Sequence, residues 1–315
     1  MKKILTICLI LVMILSITAC GGDAGKEAVK LALGETYTVE GYAEFSLFKI
    51  QTTKEITASV DSTFSYEAEG GNKYVDLILD IKNIGDVAVS CDDIVSVSAT
   101  NESGATYTCS TYLVESKDGT NIDSYTDIKP LESTRLHCAT SVKDDEKSLS
   151  LTLNVNGEEY TYDYILTEVV RNAETITTGQ VIESESFAKL VFNGVTYTDD
   201  LMPSNTSGFY THYPVDDSNN TYLAINLKLT NYQSSARELE SFVGAKATYM
   251  DKYSYTGFIV VEEGDKTGFD SYADLSPLTE YNAYILIEVP KTVIENDALV
   301  ELSFAGNEYL YAFAK

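Results

Sequence analysis

Two S-x-x-K patterns, Ser46 to Lys49 and Ser186 to Lys189, and one K-T-G, Lys266-Thr267-Gly268, are the places in this 315-residue chain where residue types and spacing come nearest to catalysis. In a serine acyl-transfer site the hydroxyl attacks from the start of a helix, beside a helical domain. Here both serines fall in runs of alternating apolar and polar residues that read as strands, and no S-D-N stands between them and the K-T-G. Only about 80 residues separate Ser186 from Lys266, too few to build that architecture. A histidine-activated nucleophile fares no better. His137 and His212 are the only two histidines, at non-equivalent positions, and His137 between Leu136 and Cys138 reads as an outward-facing strand residue. Adjacent strand residues point to opposite faces, so His137 and Cys138 do not make a zinc pair. The acidic pairs Asp92-Asp93 and Asp216-Asp217 and the run Glu262-Glu263-Gly264-Asp265 offer oxygen ligands for calcium, but none has EF-hand spacing. The expectation is a non-enzyme with no catalytic residue, no metal and no cofactor.

Cys20 is the residue to which chemistry can be assigned. Lys2 and Lys3 precede an apolar run from Ile4 to Ile17, and Thr18-Ala19 provide small residues before the cysteine. This is a charged n-region, an h-region too short to span a bilayer, and a cleavage site. Ile17-Thr18-Ala19-Cys20 resembles the lipobox of bacterial lipoproteins, which implies that residues 1–19 are removed and that the Cys20 thiol carries diacylglycerol. Two acyl chains hold a protein at a membrane without a transmembrane helix. Residues 20–33 are read as a lipidated tether, and the expected location is the extracellular face of the cell membrane of a Gram-positive bacterium.

The chain has 22 basic and 48 acidic residues, and loss of Lys2 and Lys3 with the leader takes the formal charge from −26 to −28. Such a surface repels nucleic acid and anionic lipid, so nucleic acid is excluded as a partner. Hydrophobic content of 44%, with 23 Tyr and 11 Phe, is enough for buried cores. With Cys8 in the leader and Cys20 lipidated, Cys91, Cys109 and Cys138 remain, all in the first half; they allow at most one disulfide with one free thiol, and the favoured reading is three reduced thiols packed as small hydrophobes.

An internal repeat organises the rest. Residues 73–83 lie over 221–231, with Tyr74 matching Tyr222 and Asn83 matching Asn231. Upstream, 34–48 resembles 179–192; downstream, Pro130-Leu131 meets Pro277-Leu278, and 157–162 meets 306–311. Four blocks in one order at offsets of 145 to 149 indicate a tandem duplication. Each copy is a series of short runs rich in Val, Ile, Leu, Tyr and Thr, separated by turn residues. In the first copy these fall at about 36–50, 73–83, 93–100, 105–114, 134–142, 148–155 and 158–165. Turns at 154–157 and 304–307 close hairpins. About seven strands per copy give an all-β chain of two tandem immunoglobulin-like β-sandwich domains, residues 34–166 and 179–315, joined by a linker at 167–178.

The G-E-T hairpin at Gly34, the K-Y strand ending in Asn83-Ile84-Gly85 and the turn at Pro130 resemble the immunoglobulin-like extracellular domain of unknown function found in Gram-positive lipoproteins, related to the immunoprotective extracellular antigen family. The second copy departs from it with Asn231-Tyr232-Gln233. The resemblance implies a surface-exposed module and supplies no catalytic residues.

Aromatic side chains in loops of the second copy are the expected ligand-binding set: Phe209, Tyr210, His212 and Tyr213 in a Ser/Asn/Pro-rich segment, with Tyr253 and Tyr255 further on. Loops on a rigid scaffold commonly carry binding, and Tyr gives contact area at low entropic cost. The expected function is a lipid-anchored binding or adhesion module for a surface protein, peptide or glycan. The alternative is a structural or accessory subunit of an envelope or transport complex with no soluble ligand.

Overall fold

The computed structural model describes residues 28–60, 65–116, 119–250 and 252–314. The leader and Cys20 lie outside the described residues. The chain is all-β, with one 3-10 turn among the described residues, at Leu239–Ser241. No helix among the described residues is long and apolar enough to cross a membrane.

In the first half, a five-stranded sheet runs in the order Val29–Lys30, Glu158–Ile165, Ser148–Val155, Ser96–Asn101, Thr106–Thr108. It faces a larger sheet ordered Ile122–Ser124, Thr111–Glu115, Ser133–Lys143, Asn72–Asn83, Ala43–Thr53. Val170–Arg171 continues this sheet beyond Ala43–Thr53, and Thr36–Val39 pairs with the start of that strand. The second half repeats the plan. Ala173–Thr175, Asn307–Phe313, Ala298–Phe304, Val243–Tyr249 and Tyr253–Thr256 form one sheet. Gln180–Ser184, Ala188–Thr198, Asn220–Asn231, Glu280–Pro290, Phe258–Glu262 and Phe269–Asp270 form the other.

Alternation along each strand explains the layers. Leu77, Leu79 and Ile81 point inward to meet Leu149, Leu151 and Leu153 from the facing sheet. Leu223, Leu227 and Leu229 do the same against Val300, Leu302 and Phe304. The runs expected at 105–114 and in its repeat break into two strands that change sheets. Thr106–Thr108 belongs to one layer and Thr111–Glu115 to the other. In the second half Gly257 stands at this crossover, where an added Cβ would lie 2.5 Å from the Leu286 carbonyl oxygen. The closing hairpins are tight, with Asn156 and Gly157, and Ala305 and Gly306, all at positive φ.

The repeat extends to details that sequence comparison leaves unseen. The first long strand of each half carries a bulge, between Leu47 and Lys49 and between Phe192 and Gly194. Asn83 and Asn231 are fully buried staples. The Asn83 amide donates to the Val87 and Ile128 carbonyls at 2.8 Å. The Asn231 amide donates to Ser235 and Leu275 at 2.9 and 2.8 Å. Leu131 and Leu278, both at positive φ, donate backbone N–H to the Asn83 and Asn231 carbonyls at 2.8 Å. One ion pair is kept with its signs exchanged: Lys54 with Asp144 in the first half, Lys291 with Asp199 in the second.

Two segments read as connections take part in the fold. Val29–Lys30, within the expected tether, pairs in parallel with Glu158–Ile165, and Leu31 is buried in the first core because its side chain completes that sheet's inner face. In the linker, Val170–Arg171 pairs with Ala43–Thr53 of the first half and Ala173–Thr175 with Asn307–Phe313 of the second. Asn172 between them donates its backbone N–H to the Phe48 carbonyl at 2.7 Å.

Candidate functional site: a polar cleft between the halves

The long strand Asn72–Asn83 buries one side chain set in its core and turns Asp76, Ile78 and Asp80 to the other face. On the same outer face stand Leu113, Glu115, Arg135 and His137, and the bulge after Leu47 sets Phe48 and Lys49 there as well. The segment after Thr53 folds back over part of this face, where Ile56 and Ala58 pack on Leu113 and Ala139. Glu115 fixes that segment by accepting the Ser59 backbone N–H at 2.5 Å.

The remainder of the face meets the outer side of the second half's five-stranded sheet. Gly244 permits the approach: a Cβ there would lie 3.2 Å from the Val60 Cα and carbonyl oxygen. Lys49 donates to Glu308 at 2.5 Å with both side chains buried. Arg171 pairs with Glu301 at 2.8 Å, and Lys246 reaches the same carboxylate at 3.2 Å. Burial disfavours the charged form of Glu301, yet Lys246, Arg171 and Lys49 together hold its pKa below the usual value. Between these contacts lies a cleft of about 1230 Å³, lined from the first half by Lys49, Ser59, Arg135 and His137 and from the second by Gly244, Lys246, Thr256, Tyr272, Glu301 and Ser303, among others. It exceeds the usual range for a drug-sized ligand, which is about 300 to 1,000 Å³.

His137 is the largest departure from the sequence expectation. It is buried in this wall instead of facing solvent, because its outward strand face is itself covered. Its Nδ1 lies 2.9 Å from Asp76, and its Nε2 is buried without a hydrogen-bond partner. Burial opposes its charged form, but the Asp76 carboxylate, with Glu115 beyond it, outweighs that and raises its pKa. Arg135 bonds Asp80 through Nε at 3.0 Å and Nη2 at 2.9 Å and lies 3.4 Å above the Phe48 ring.

The aromatic residues expected to bind ligand are divided. Tyr213 packs on an apolar cluster over the outer face of the second half's six-stranded sheet, with Phe258 and Phe269 at 5.7 and 6.0 Å. His212 Nδ1 contacts Asp200 at 2.7 Å, and Tyr210 stands 5.8 Å from the His212 ring. Tyr255 packs against the central core, 6.0 Å from Tyr249. Tyr253, on the same edge strand, lies under the Lys252 ammonium at 5.0 Å. Phe209 is 89% exposed. Tyr213 and Tyr255 thus serve different clusters, and none of the six lines the cleft. The acidic pairs have local partners: Asp92 accepts from Ser90, Asp217 from Asn219, Asp265 from Thr267 and Glu262 from Ser204. No group of three His, Cys, Asp or Glu side chains among the described residues is arranged to hold a metal ion. Ser46 and Lys189 lie on strands and Ser186 in the turn before Ala188–Thr198. Cys91, Cys109 and Cys138 are buried and unbridged; burial pushes the Cys109 thiol up to about 11.

The cleft residues carry no motif, since they come from distant strands. One signal was nonetheless present: Asp123-Ser124-Tyr125-Thr126-Asp127 recurs as Asp270-Ser271-Tyr272-Ala273-Asp274, and Ser271, Tyr272 and Asp274 line the cleft.

No family model matches the chain, and no curated protein matches it. Solved structures do match, among them an uncharacterized β-sandwich protein from Clostridium difficile 630. It is 24% identical over 46% of this chain and 97% of its own, with a TM-score of 0.43.

Proposed function

We propose that this chain is a noncatalytic binding lipoprotein on the extracellular face of the cell membrane, built from two tandem immunoglobulin-like sandwiches and anchored through Cys20, and that it takes its ligand in the cleft between the halves. The observation that carries this reading is the cleft itself, a large polar space with buried charged side chains contributed by both walls. A ligand there gains contacts from both halves at once. The buried ion pairs hold the walls in place before binding, which lowers the ordering cost.

The test is a random-peptide display library and a glycan array screened on the full chain, with recovered binders re-measured on Ser303→Trp, which places an indole in the cleft. At least a tenfold loss of affinity supports the reading. Binders indifferent to the substitution, on a variant that melts like the parent, would place recognition elsewhere. Anchoring is tested separately: Cys20→Ala should abolish metabolic labelling with an alkyne fatty acid and release the protein from the membrane fraction.

A further inference from the structure

Residues 123–131 and 270–278 are identical at six of nine positions, whereas the aligned core strands 73–83 and 221–231 agree at only three of eleven. A surface loop has thus diverged less than the centre of the sheet. Part of the agreement is structural: Ile128 and Leu275 are buried, and the two Pro-Leu turns bond to the asparagine staples. Two of the carboxylates also have local partners, Asp270 accepting the Tyr272 N–H at 2.8 Å and Asp123 the Asn121 amide at 2.9 Å; the two Tyr rings have no such duty. Exposure alternates in step in both copies, so that Asp123, Tyr125 and Asp127, like Asp270, Tyr272 and Asp274, face solvent while the residues between turn inward. Tyr125 is 85% exposed and Tyr272 93%. Large exposed aromatics add nothing to either core, yet both halves hold one between two carboxylates.

We infer that these two loops are a repeated recognition element for cationic side chains, and that the partner is a lysine- or arginine-bearing peptide segment that engages both. The Tyr ring offers its negative face to an ammonium or guanidinium, and the flanking Asp side chains add charge. An exposed cation–π contact and exposed ion pairs are each weak, so one loop alone gives at most millimolar binding. Two loops on one chain convert the second contact into an intramolecular one, which multiplies affinity without new chemistry. The excess of acidic residues steers cations toward the surface. The inference goes beyond the cleft reading, because only the second loop borders the cleft.

The experiment titrates the full chain with a Lys-Gly repeat peptide of ten residues, a Gln-Gly control of equal length, and spermidine as a free amine. Tyr125→Ala, Tyr272→Ala and the double variant leave the protein's charge unchanged, so diffuse attraction of a polycation to an acidic protein would be unaffected by them. Each single variant should weaken the Lys-Gly peptide about threefold to fivefold and the double variant more than tenfold. Tyr→Phe at both sites should restore binding, since the ring face is kept. Equal binding by the double Ala variant and the parent overturns the inference, as does spermidine binding as tightly as the peptide. Peptide binding that survives Ser303→Trp but is lost in the double variant places this contact on the loops, whereas the cleft reading is decided by the binders of its own screen.

Discussion

The same outer sheet face is finished in opposite ways in the two halves. Aligned through the paired strands, Tyr74, Asp76, His137 and Ala139 of the first half correspond to Tyr222, Ala224, Tyr284 and Leu286 of the second. The second set is apolar and sealed: residues after Thr198 fold over it, and Leu201, Tyr213 and Phe269 complete a small dry cluster. In the first set Tyr74 and Ala139 lie in an apolar cluster with Ile56 and Ala58 of their own half, but a carboxylate and an imidazole remain beside them, and His137 lines the cleft against the second half's other sheet. That receiving sheet has changed to match. Lys246 and Glu301 occupy positions where the first half has Ser98 and Thr152. The segment that covers each face is held by one device in both halves, a buried glutamate accepting a serine N–H: Glu115 from Ser59 and Glu262 from Ser204. Covering the face is therefore common to the scaffold, and the polarity of what is covered sets the halves apart.

The largest effect should come from forcing one face to resemble the other. Ala224→Asp places a carboxylate in the dry cluster without a partner and should cost about 3 to 5 kcal/mol. Adding Tyr284→His, which supplies the imidazole found across from Asp76, should return part of that in denaturant unfolding. A double variant no better than the single one would mean that the pairing at Asp76 does not depend on its histidine.

Next in size are the staples, which the comparison makes equivalent. Asn83→Ala and Asn231→Ala each strand one buried carbonyl, that of Ile128 or Leu275, and free a second that water can reach, and each should cost about 1 to 3 kcal/mol. A difference of more than twofold between them, read from unfolding midpoints of their own halves, would break the equivalence.

A smaller effect should separate the halves by pH. The pKa of His137 is raised above its usual 6.5. Its contribution to stability is therefore complete below about pH 6.5 and lost as pH rises through the raised value. His137→Gln should remove this loss, so that the stability gap between parent and variant narrows as pH rises above 6.5 through the raised value. A constant gap across that range would show that the histidine does not titrate with folding.

Much of this was legible in the sequence, for reasons specific to each element. The buried Asn83 and Asn231 and the Pro-Leu turns that bond to them are the most visible marks of the duplication, because a staple that satisfies several backbone groups tolerates no substitute. Alternation gave the long strands nearly to the residue. Short edge strands such as Ile122–Ser124 and Val170–Arg171 were not visible, since two or three residues carry no period. His137 was misjudged because alternation tells which face a side chain takes, not whether a second layer covers that face. The cleft was hidden for the same reason: it is made by contact between Lys49 and Glu308, 259 positions apart.

The account rests on the buried ion pairs holding the two halves as walls of a fixed cleft. Spin labels at Glu159→Cys and Ser218→Cys, on exposed positions of the two halves, measure this by double electron–electron resonance in the full chain. A single narrow distance distribution is predicted, broadened when Lys49→Met removes the nearer of the two cations beside Glu308. A broad distribution in the parent, unchanged by Lys49→Met, would contradict it.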